Sequence, residues 1–145
     1  MPTTAIRGGA YLAASPFPAG TTPGKVPIDT LDTAAYPYTA ALVFSGVVVR
    51  GTGPVLVTTQ CTIATGSCTA QLRIGGTTVA TGNTALVSQI VYLHYAHDGD
   101  QLQLWESDPG TFTNLVAGAA NTYIHYEPLT VPTPPSMAVQ RAALF

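Results

Sequence analysis

The sequence predicts an all-β fold, an antiparallel jelly-roll sandwich with extended N- and C-terminal arms. Apolar and polar residues alternate in short segments, which is the pattern of half-buried strands. Turn signals recur about every 8–12 residues with no strong helical pattern between them, as expected for a sandwich or jelly roll. A chain of 145 residues is the size of one domain that buries a core without disulfide or metal support.

Two proline-rich segments flank the predicted body. SPFPAGTTPGK lies near the start of the chain and EPLTVPTPP near its end. Each proline removes a backbone donor and disfavours helix in front of it. We therefore predict an N-terminal extended arm over residues 1–25, a jelly-roll domain over residues 26–128 and a C-terminal proline-rich arm over residues 129–145.

The first half of the body contains three predicted strands. AALVFSGVVVR, residues 40–50, is rich in β-branched and aromatic residues, and GTGP ends it. VLVTTQCTIA, residues 55–64, has alternating character, and TGS then turns the chain into CTAQLRIGG. In that third strand, apolar residues alternate with polar ones, namely Ala70, Leu72 and Ile74 against Thr69, Gln71 and Arg73.

The second half continues the pattern. Gly75–Gly76 is a strong two-residue hairpin signal that leads into TTVA, and TGNT predicts another turn. LVSQIVYLHYA, residues 86–96, then alternates between two faces, with Val91, Leu93 and Tyr95 on one and Ile90, Tyr92 and His94 on the other. HDGD turns the chain into QLQLWES, DPG turns it out again, and NTYIHYE is the last strand.

The segment YLHYAHDGDQLQLW concentrates two histidines, two aspartates and the only tryptophan, Trp105. Asp98-Gly99 is a turn dipeptide, and after it Leu102 and Leu104 point one way while the alternate residues Gln101, Gln103 and Trp105 point the other. A metal site would need several convergent ligands, and only His94 lies inside a strand. We therefore predict a structural turn here, with an ion site or a catalytic cluster as the less favoured alternatives.

The sequence predicts no enzyme and no cofactor. There is no G-x-S-x-G elbow, no glycine-rich loop followed by a helix, and no third group to orient a Cys–His pair. Cys61 and Cys68 flank TIATGS. If Thr65 and Gly66 are the turn pair, Cys61 lies opposite Ala70, so a disulfide requires another register; a disulfide and two core thiols both stay open.

Charge is scarce and unevenly distributed. Charged residues make up 8% of the chain, against about 25% in an average soluble domain. Residues 26–128 carry two cations and seven acids, whereas the ends carry three cations and no acid: Arg7, Lys25 and Arg141. An acidic body argues against nucleic acid as a partner. No secretion signal and no apolar run of roughly 18 residues is present, so we expect no membrane span.

The order of features from residue 26 to residue 128 resembles the trimeric jelly roll shared by tumour necrosis factor and the complement-type globular heads. Five segments carry the resemblance: VPIDTLDTAAY, GTGPVLVTTQCTIA, QLRIGGTTVATG, HDGDQLQLW and TYIHYEP. Jelly rolls of this kind with low charge and proline-rich arms also resemble small virion proteins of tailed bacteriophages. These are head-decoration or minor tail proteins, commonly trimers.

The resemblance implies a structural role. It predicts a homotrimeric virion protein, assembled in the bacterial cytoplasm, that binds and stabilises the capsid shell, with its arms on the major capsid protein or on tail subunits. The candidate interface residues are four tyrosines and three terminal cations: Tyr92, Tyr95, Tyr123, Tyr126, Arg7, Lys25 and Arg141. The alternatives are a minor tail protein and a carbohydrate- or receptor-binding module. That module would use Trp105, Tyr95 and the loop acids Asp98, Asp100 and Asp108.

Overall fold

A computed structural model describes residues 6–13, 24–26, 28–33, 41–43, 46–106 and 115–129. These residues form strands and turns, and none of them lies in a helix long and apolar enough to cross a membrane. The described strands are β1 Gly8–Tyr11, β2 Gly24–Lys25, β3 Thr30–Leu31, β4 Ala41–Val43, β5 Gly46–Val48, β6 Gly53–Thr62, β7 Cys68–Ile74, β8 Thr77–Ala85, β9 Val87–Ala96, β10 Gln101–Glu106 and β11 Tyr123–Pro128. The predicted all-β class is confirmed.

The strands build two antiparallel sheets. The five-stranded sheet has the order β3-β1-β11-β6-β9, and the six-stranded sheet has the order β4-β5-β10-β7-β8, with β2 paired to β10. Among these strands only β4–β5 and β7–β8 are both consecutive and paired. The other consecutive strands are not neighbours in a sheet, so the chain passes each time to a strand that is not adjacent. For this reason the two sheets close over one core as a jelly roll rather than as a meander.

The core lies between the sheets and is made of the inward side of each alternating strand. Its fully buried members, each 0% exposed, come from both sheets: Ala10, Leu12, Val47, Val49, Val55, Val57, Cys61, Cys68, Ala70, Leu72, Ala96, Leu102, Leu104, Ile124 and Tyr126. Leu102 and Leu104 lie on the inward face of β10, as the alternation predicted. The hairpin at Gly75–Gly76 is also confirmed, and both glycines have positive φ, 60° and 85°.

The predicted turn at TGNT is wrong, because β8 runs through these residues to Ala85. Gly82 serves a close approach instead of a turn: a Cβ there would lie 2.5 Å from Ser88 Oγ and 2.8 Å from the Gln89 carbonyl oxygen. Ser88 Oγ donates to the Asn83 carbonyl, and the Gln89 amide donates to Asn83 Oδ1 at 3.1 Å. These bonds join the edge strands of the two sheets, β8 and β9.

The body begins earlier than the predicted boundary at residue 26. Strand β1 lies between β3 and β11, and Ala10 and Leu12 are fully buried. The segment GGAYL is too short and too glycine-rich for its alternation to stand out beside the prolines. Lys25, at the end of the predicted N-terminal arm, lies on β2, whereas residues 1–5, 14–23 and 130–145, the last with Arg141, lie outside the described residues.

The chain enters and leaves the body at the same place. Gly8, which begins β1, is paired with Tyr126 near the end of β11, and the Leu129 amide bonds to the Pro54 carbonyl at 3.1 Å. Because the two strands are antiparallel neighbours, Gly8 and Leu129 lie at one end of the sandwich. The HDGD loop follows Ala96, the partner of Gly53, and so lies at this same end.

Cys61 and Cys68 are buried thiols that are not joined by a disulfide. Cys68 Sγ bonds to the Cys61 carbonyl at 3.5 Å and to the Ala85 carbonyl at 3.3 Å. A hydrogen bond to the Cys68 side chain, reinforced by burial, raises the pKa of the Cys61 thiol far above its ordinary value. Of the two alternatives left open by the sequence, the structure has the pair of core thiols.

We expect both thiols to resist alkylation in the native protein. The thiolate is the reactive form, and both sulfurs are inaccessible, so labelling requires opening of the core. Iodoacetamide labelling followed by intact mass should be at least about a hundredfold slower in buffer than in denaturant. Native labelling of either cysteine at the denatured rate would contradict this burial.

Candidate interaction surface

The outward side of β6 and β9 forms an uncharged surface. On β9 the inward positions hold Ser88, Ile90 and Ala96, so the opposite set points to solvent. The pairs across these two strands are Pro54–Tyr95, Leu56–Leu93, Thr58–Val91, Gln60–Gln89 and Thr62–Val87. We call this surface the apolar face. None of its ten residues carries a charge.

Three large side chains dominate the apolar face. Val91 is 66% exposed, Leu93 is 62% exposed and Tyr95 is 59% exposed, and they follow one another along one side of β9. Single exposed apolar residues are ordinary on a soluble protein, whereas a contiguous group marks an interaction site. This is the strongest such signal among the described residues.

A polar network closes one end of the apolar face. Gln89 Nε2 donates to Gln60 Oε1 at 2.6 Å, and Gln60 Nε2 donates to the carbonyls of Ala120 and Asn121, both at 3.0 Å. The Tyr123 hydroxyl donates to the same Gln60 Oε1 at 3.3 Å. These bonds fix the amide side chains, so this end of the face is preorganised while the opposite end is apolar.

The face continues onto β11 through a stacked ring pair. The rings of Tyr123 and His125 lie 4.1 Å apart at an interplanar angle of 20°. His125 is paired with Thr58 on one side and with Gly9 on the other, so it occupies the middle of the five-stranded sheet. Sequence reasoning missed His125; its spacing of two residues from Tyr123 was the available signal.

Burial lowers the pKa of His125, and the nearby carboxylates Asp32 and Glu127 offset part of that shift. The folded-state value therefore lies below the unfolded one, and the unfolded chain binds a proton first as pH falls. We expect this contribution to stability to be present above about pH 6.5 and to be lost as pH falls towards the folded pKa.

Urea unfolding from pH 7.5 to pH 5 measures this effect. His125→Gln should flatten the pH dependence of the unfolding free energy, and Thr77→Ala, which changes an exposed residue and removes no titratable group, should leave it unchanged. An equal flattening in both variants would show that His125 is not the group responsible.

The structure separates the predicted tyrosines. Tyr95 and Tyr123 point outward on the five-stranded sheet, whereas Tyr92 is half-buried and packs against the core. Tyr126 is fully buried, and its hydroxyl accepts a bond from the Arg50 amide at 3.4 Å. Tyr126 is therefore not a surface contact, and the prediction that it lies at an interface is wrong: three residues from Tyr123 on a strand of period two, it must face the opposite way.

The two predicted cations that lie within the described residues are on different sheets: Arg7 directly precedes β1 of the five-stranded sheet, which also holds Tyr95 and Tyr123, whereas Lys25 lies on the other sheet. Arg7 is half-buried in front of β1, and Lys25 is half-buried on β2 in the six-stranded sheet. On that sheet Arg73 covers a face of the Trp105 ring, with its Cζ 3.8 Å from the ring centroid. A sugar would therefore find that side of Trp105 already occupied.

The HDGD loop is a structural turn. His94 Nε2 and Asp100 Oδ2 lie 2.8 Å apart, and the His97 amide donates to the same carboxylate oxygen at 2.9 Å. Burial acts to raise the pKa of Asp100, but these bonds outweigh it and the net pKa is lowered. Asp98 Oδ1 accepts the Gly51 amide at 2.8 Å. Within the described part of the chain, no group of three or more His, Cys, Asp or Glu side chains could hold a metal ion.

Comparison with known proteins identifies the architecture. No family model and no curated protein matches the sequence. Among solved structures, Eiger TNF from S. frugiperda aligns with a TM-score of 0.67 at 13% identity, over 92% of this chain and 98% of that one. Murine APRIL at pH 8.0 aligns with a TM-score of 0.63 at 12% identity, over 87% of this chain and all of the other. The chain has the TNF-like jelly-roll fold.

The resemblance stated from the sequence is thus confirmed at the level of the fold. In this TNF-like jelly roll, the apolar face belongs to the sheet that also contains the first and last described strands, β1 and β11. The six-stranded sheet turns its outer surface, with Arg73 and Trp105, in the opposite direction. The molecule therefore presents two chemically different surfaces on opposite sides of one core.

Proposed function

We propose that this chain is a non-enzymatic structural subunit that associates with copies of itself, as a homotrimer, through the apolar face. The observation that carries the proposal is the run of Val91, Leu93 and Tyr95, each about 60% exposed or more and without a charged neighbour on β6 or β9. Burial of a large apolar side chain contributes about 1.5–3 kcal/mol. Three of them in each subunit supply a substantial driving force for association.

The position of the apolar face favours a closed ring. It starts at the edge strand β9 and extends inward over β6 to the rings of Tyr123 and His125. When the edge of one subunit packs on the sheet of the next, each contact is heterologous and the assembly closes by rotation. The trimeric jelly rolls that the sequence resembles support three as the number of subunits.

The favoured setting is a virion, with this chain as a bacteriophage capsid decoration protein. Low charge, 8% of residues, suits a surface that is largely covered by neighbours, because buried ions carry a desolvation cost. Gly8 and Leu129 lie at one end of the sandwich, and we expect a trimer to direct the residues outside them towards a common underlying shell. Multivalent attachment of this kind gains affinity without new contacts. A minor tail protein would use the same arrangement.

Sedimentation equilibrium on the full chain tests self-association. The expected mass is three times the 15.0 kDa of one chain, and a monomer at micromolar concentration would contradict the proposal. Particles assembled without this chain then test the setting. The trimer should cosediment with them, and a chain lacking residues 130–145 should not, although it remains trimeric. Equal cosedimentation of the full chain and the shortened chain would show that the C-terminal arm is not needed for attachment.

A further inference from the structure

A second surface lies on the outward side of the six-stranded sheet. Lys25 on β2 is paired with Trp105 on β10, and Trp105 is paired in turn with Gln71 on β7. Gln103 is paired with Arg73 one row along. Paired residues share a face, so these five side chains point the same way. We call them the cationic patch.

Contacts within the cationic patch fix its guanidinium group. Arg73 Cζ lies 3.8 Å from the centroid of the Trp105 ring, and Arg73 Nη2 donates to Gln71 Oε1 at 3.1 Å. Trp105 Nε1 donates to Gln103 Oε1 at 3.0 Å, which holds the ring itself. A guanidinium held on both sides has already lost its rotamer freedom, so a ligand that binds it meets a smaller entropic cost.

The two cations of the patch have no described counter-charge. The nearest carboxylate along β10, Glu106, points into the core, is 2% exposed and accepts the Thr69 amide at 3.2 Å. Neither Lys25 nor Arg73 makes an ion pair within the described residues. The patch is therefore a local positive surface on a chain whose net charge is −2.

We infer that the cationic patch is a docking site for an acidic segment of a partner protein, with carboxylates that pair with Arg73 and Lys25. Charge complementarity selects this occupant, because a fixed guanidinium matches a carboxylate and the flanking glutamine side chains supply further hydrogen bonds. A nucleic acid would need a broader basic footprint and would meet an acidic body. This inference rests on the proposed function in one respect: the proposed function identifies the partner as the shell on which the subunit sits.

Trp105 provides a direct readout, because it is the one tryptophan of the chain and lies in the patch. The probe is an end-blocked decapeptide of alternating glutamate and glycine, titrated into the full chain at low salt while tryptophan emission is recorded. We expect a saturable change in emission that weakens as salt is raised. The same peptide with glutamine in place of glutamate should produce none.

Charge-neutralising variants locate the site. Arg73→Gln and Lys25→Gln should each weaken binding at least about fivefold. Arg50→Gln is the matched control, since it removes one exposed positive charge outside the patch, after β5. Equal weakening in all three variants, or no saturable change with the acidic peptide, would overturn the inference. Binding of a sulfated tetrasaccharide but not of the peptide would also overturn the inference, because the ligand would then be a sulfated sugar and not an acidic protein segment.

One further variant separates this inference from the proposed trimer. Leu93→Asp alters the apolar face on the opposite sheet and should bind the acidic peptide like the parent chain, whatever its own mass. If the parent chain is monomeric and still binds the peptide through Arg73, the proposed self-association fails and the docking site stands.

Discussion

Leu93→Asp is expected to convert the proposed trimer into a folded monomer. Leu93 is 62% exposed within one subunit, so an aspartate there meets water in the isolated chain and changes its stability by about 0.5 kcal/mol or less. In the assembly the same carboxylate would be buried in each of three copies against uncharged neighbours, at a cost of several kcal/mol per charge. Sedimentation equilibrium should give 15.0 kDa in place of three times that mass.

Thr77→Asp is the matched control for this experiment. Thr77 is exposed at the hairpin of β7 and β8, on the sheet that lacks the apolar face. The substitution adds the same charge away from the apolar face, so the proposed trimer should persist. Circular dichroism should show that both variants stay folded with similar melting temperatures. A trimeric Leu93→Asp, or dissociation of both variants, would exclude the apolar face as the interface.

Removal of strand β1 should unfold the domain. A chain that lacks residues 1–12 loses the strand between β3 and β11, together with the fully buried Ala10 and Leu12. It also loses the bonds from the Leu12 amide to the Thr122 carbonyl, 3.0 Å, and from the Gly118 amide to the Leu12 carbonyl, 2.7 Å. The combined loss is comparable with the whole stability of a typical domain, about 5–15 kcal/mol.

The matched deletion removes residues 1–5 alone and ends before β1. This shorter chain should keep the far-ultraviolet spectrum and the urea midpoint of the full protein, whereas the longer deletion should lose the cooperative transition. A cooperative transition at an unchanged midpoint after removal of residues 1–12 would instead place β1 outside the folded body.

Strand alternation made much of this fold predictable. The hairpin at Gly75–Gly76, the turn at Asp98-Gly99 and the inward side of β10 all follow from local rules that need no tertiary information. The faces of β9 were also separated correctly, with Val91, Leu93 and Tyr95 together. What the alternation could not predict is which face lies inward, because that depends on the neighbouring sheet.

The orientation of β9 runs against simple hydrophobicity. The more apolar set, which includes Val91 and Leu93, points to solvent, while Ser88 and Ala96 are buried. Ser88 is buried because it bonds to the Asn83 carbonyl and accepts the Ala70 amide at 2.9 Å, contacts made across the sheets. Gly82 was misassigned to a turn for a similar reason, since its close neighbours belong to β9. Tyr126 could have been placed correctly from its three-residue spacing to Tyr123.

The pairing of the first described strand with the last has a consequence for synthesis on the ribosome. Gly8 can pair with Tyr126 only after Tyr126 has been synthesised. The central part of the five-stranded sheet therefore cannot form until nearly the whole domain has left the exit tunnel. Such long-range closure makes folding slow and late. The part of the outer surface that lies on β11, with the rings of Tyr123 and His125, is consequently completed only when synthesis of the domain is nearly finished.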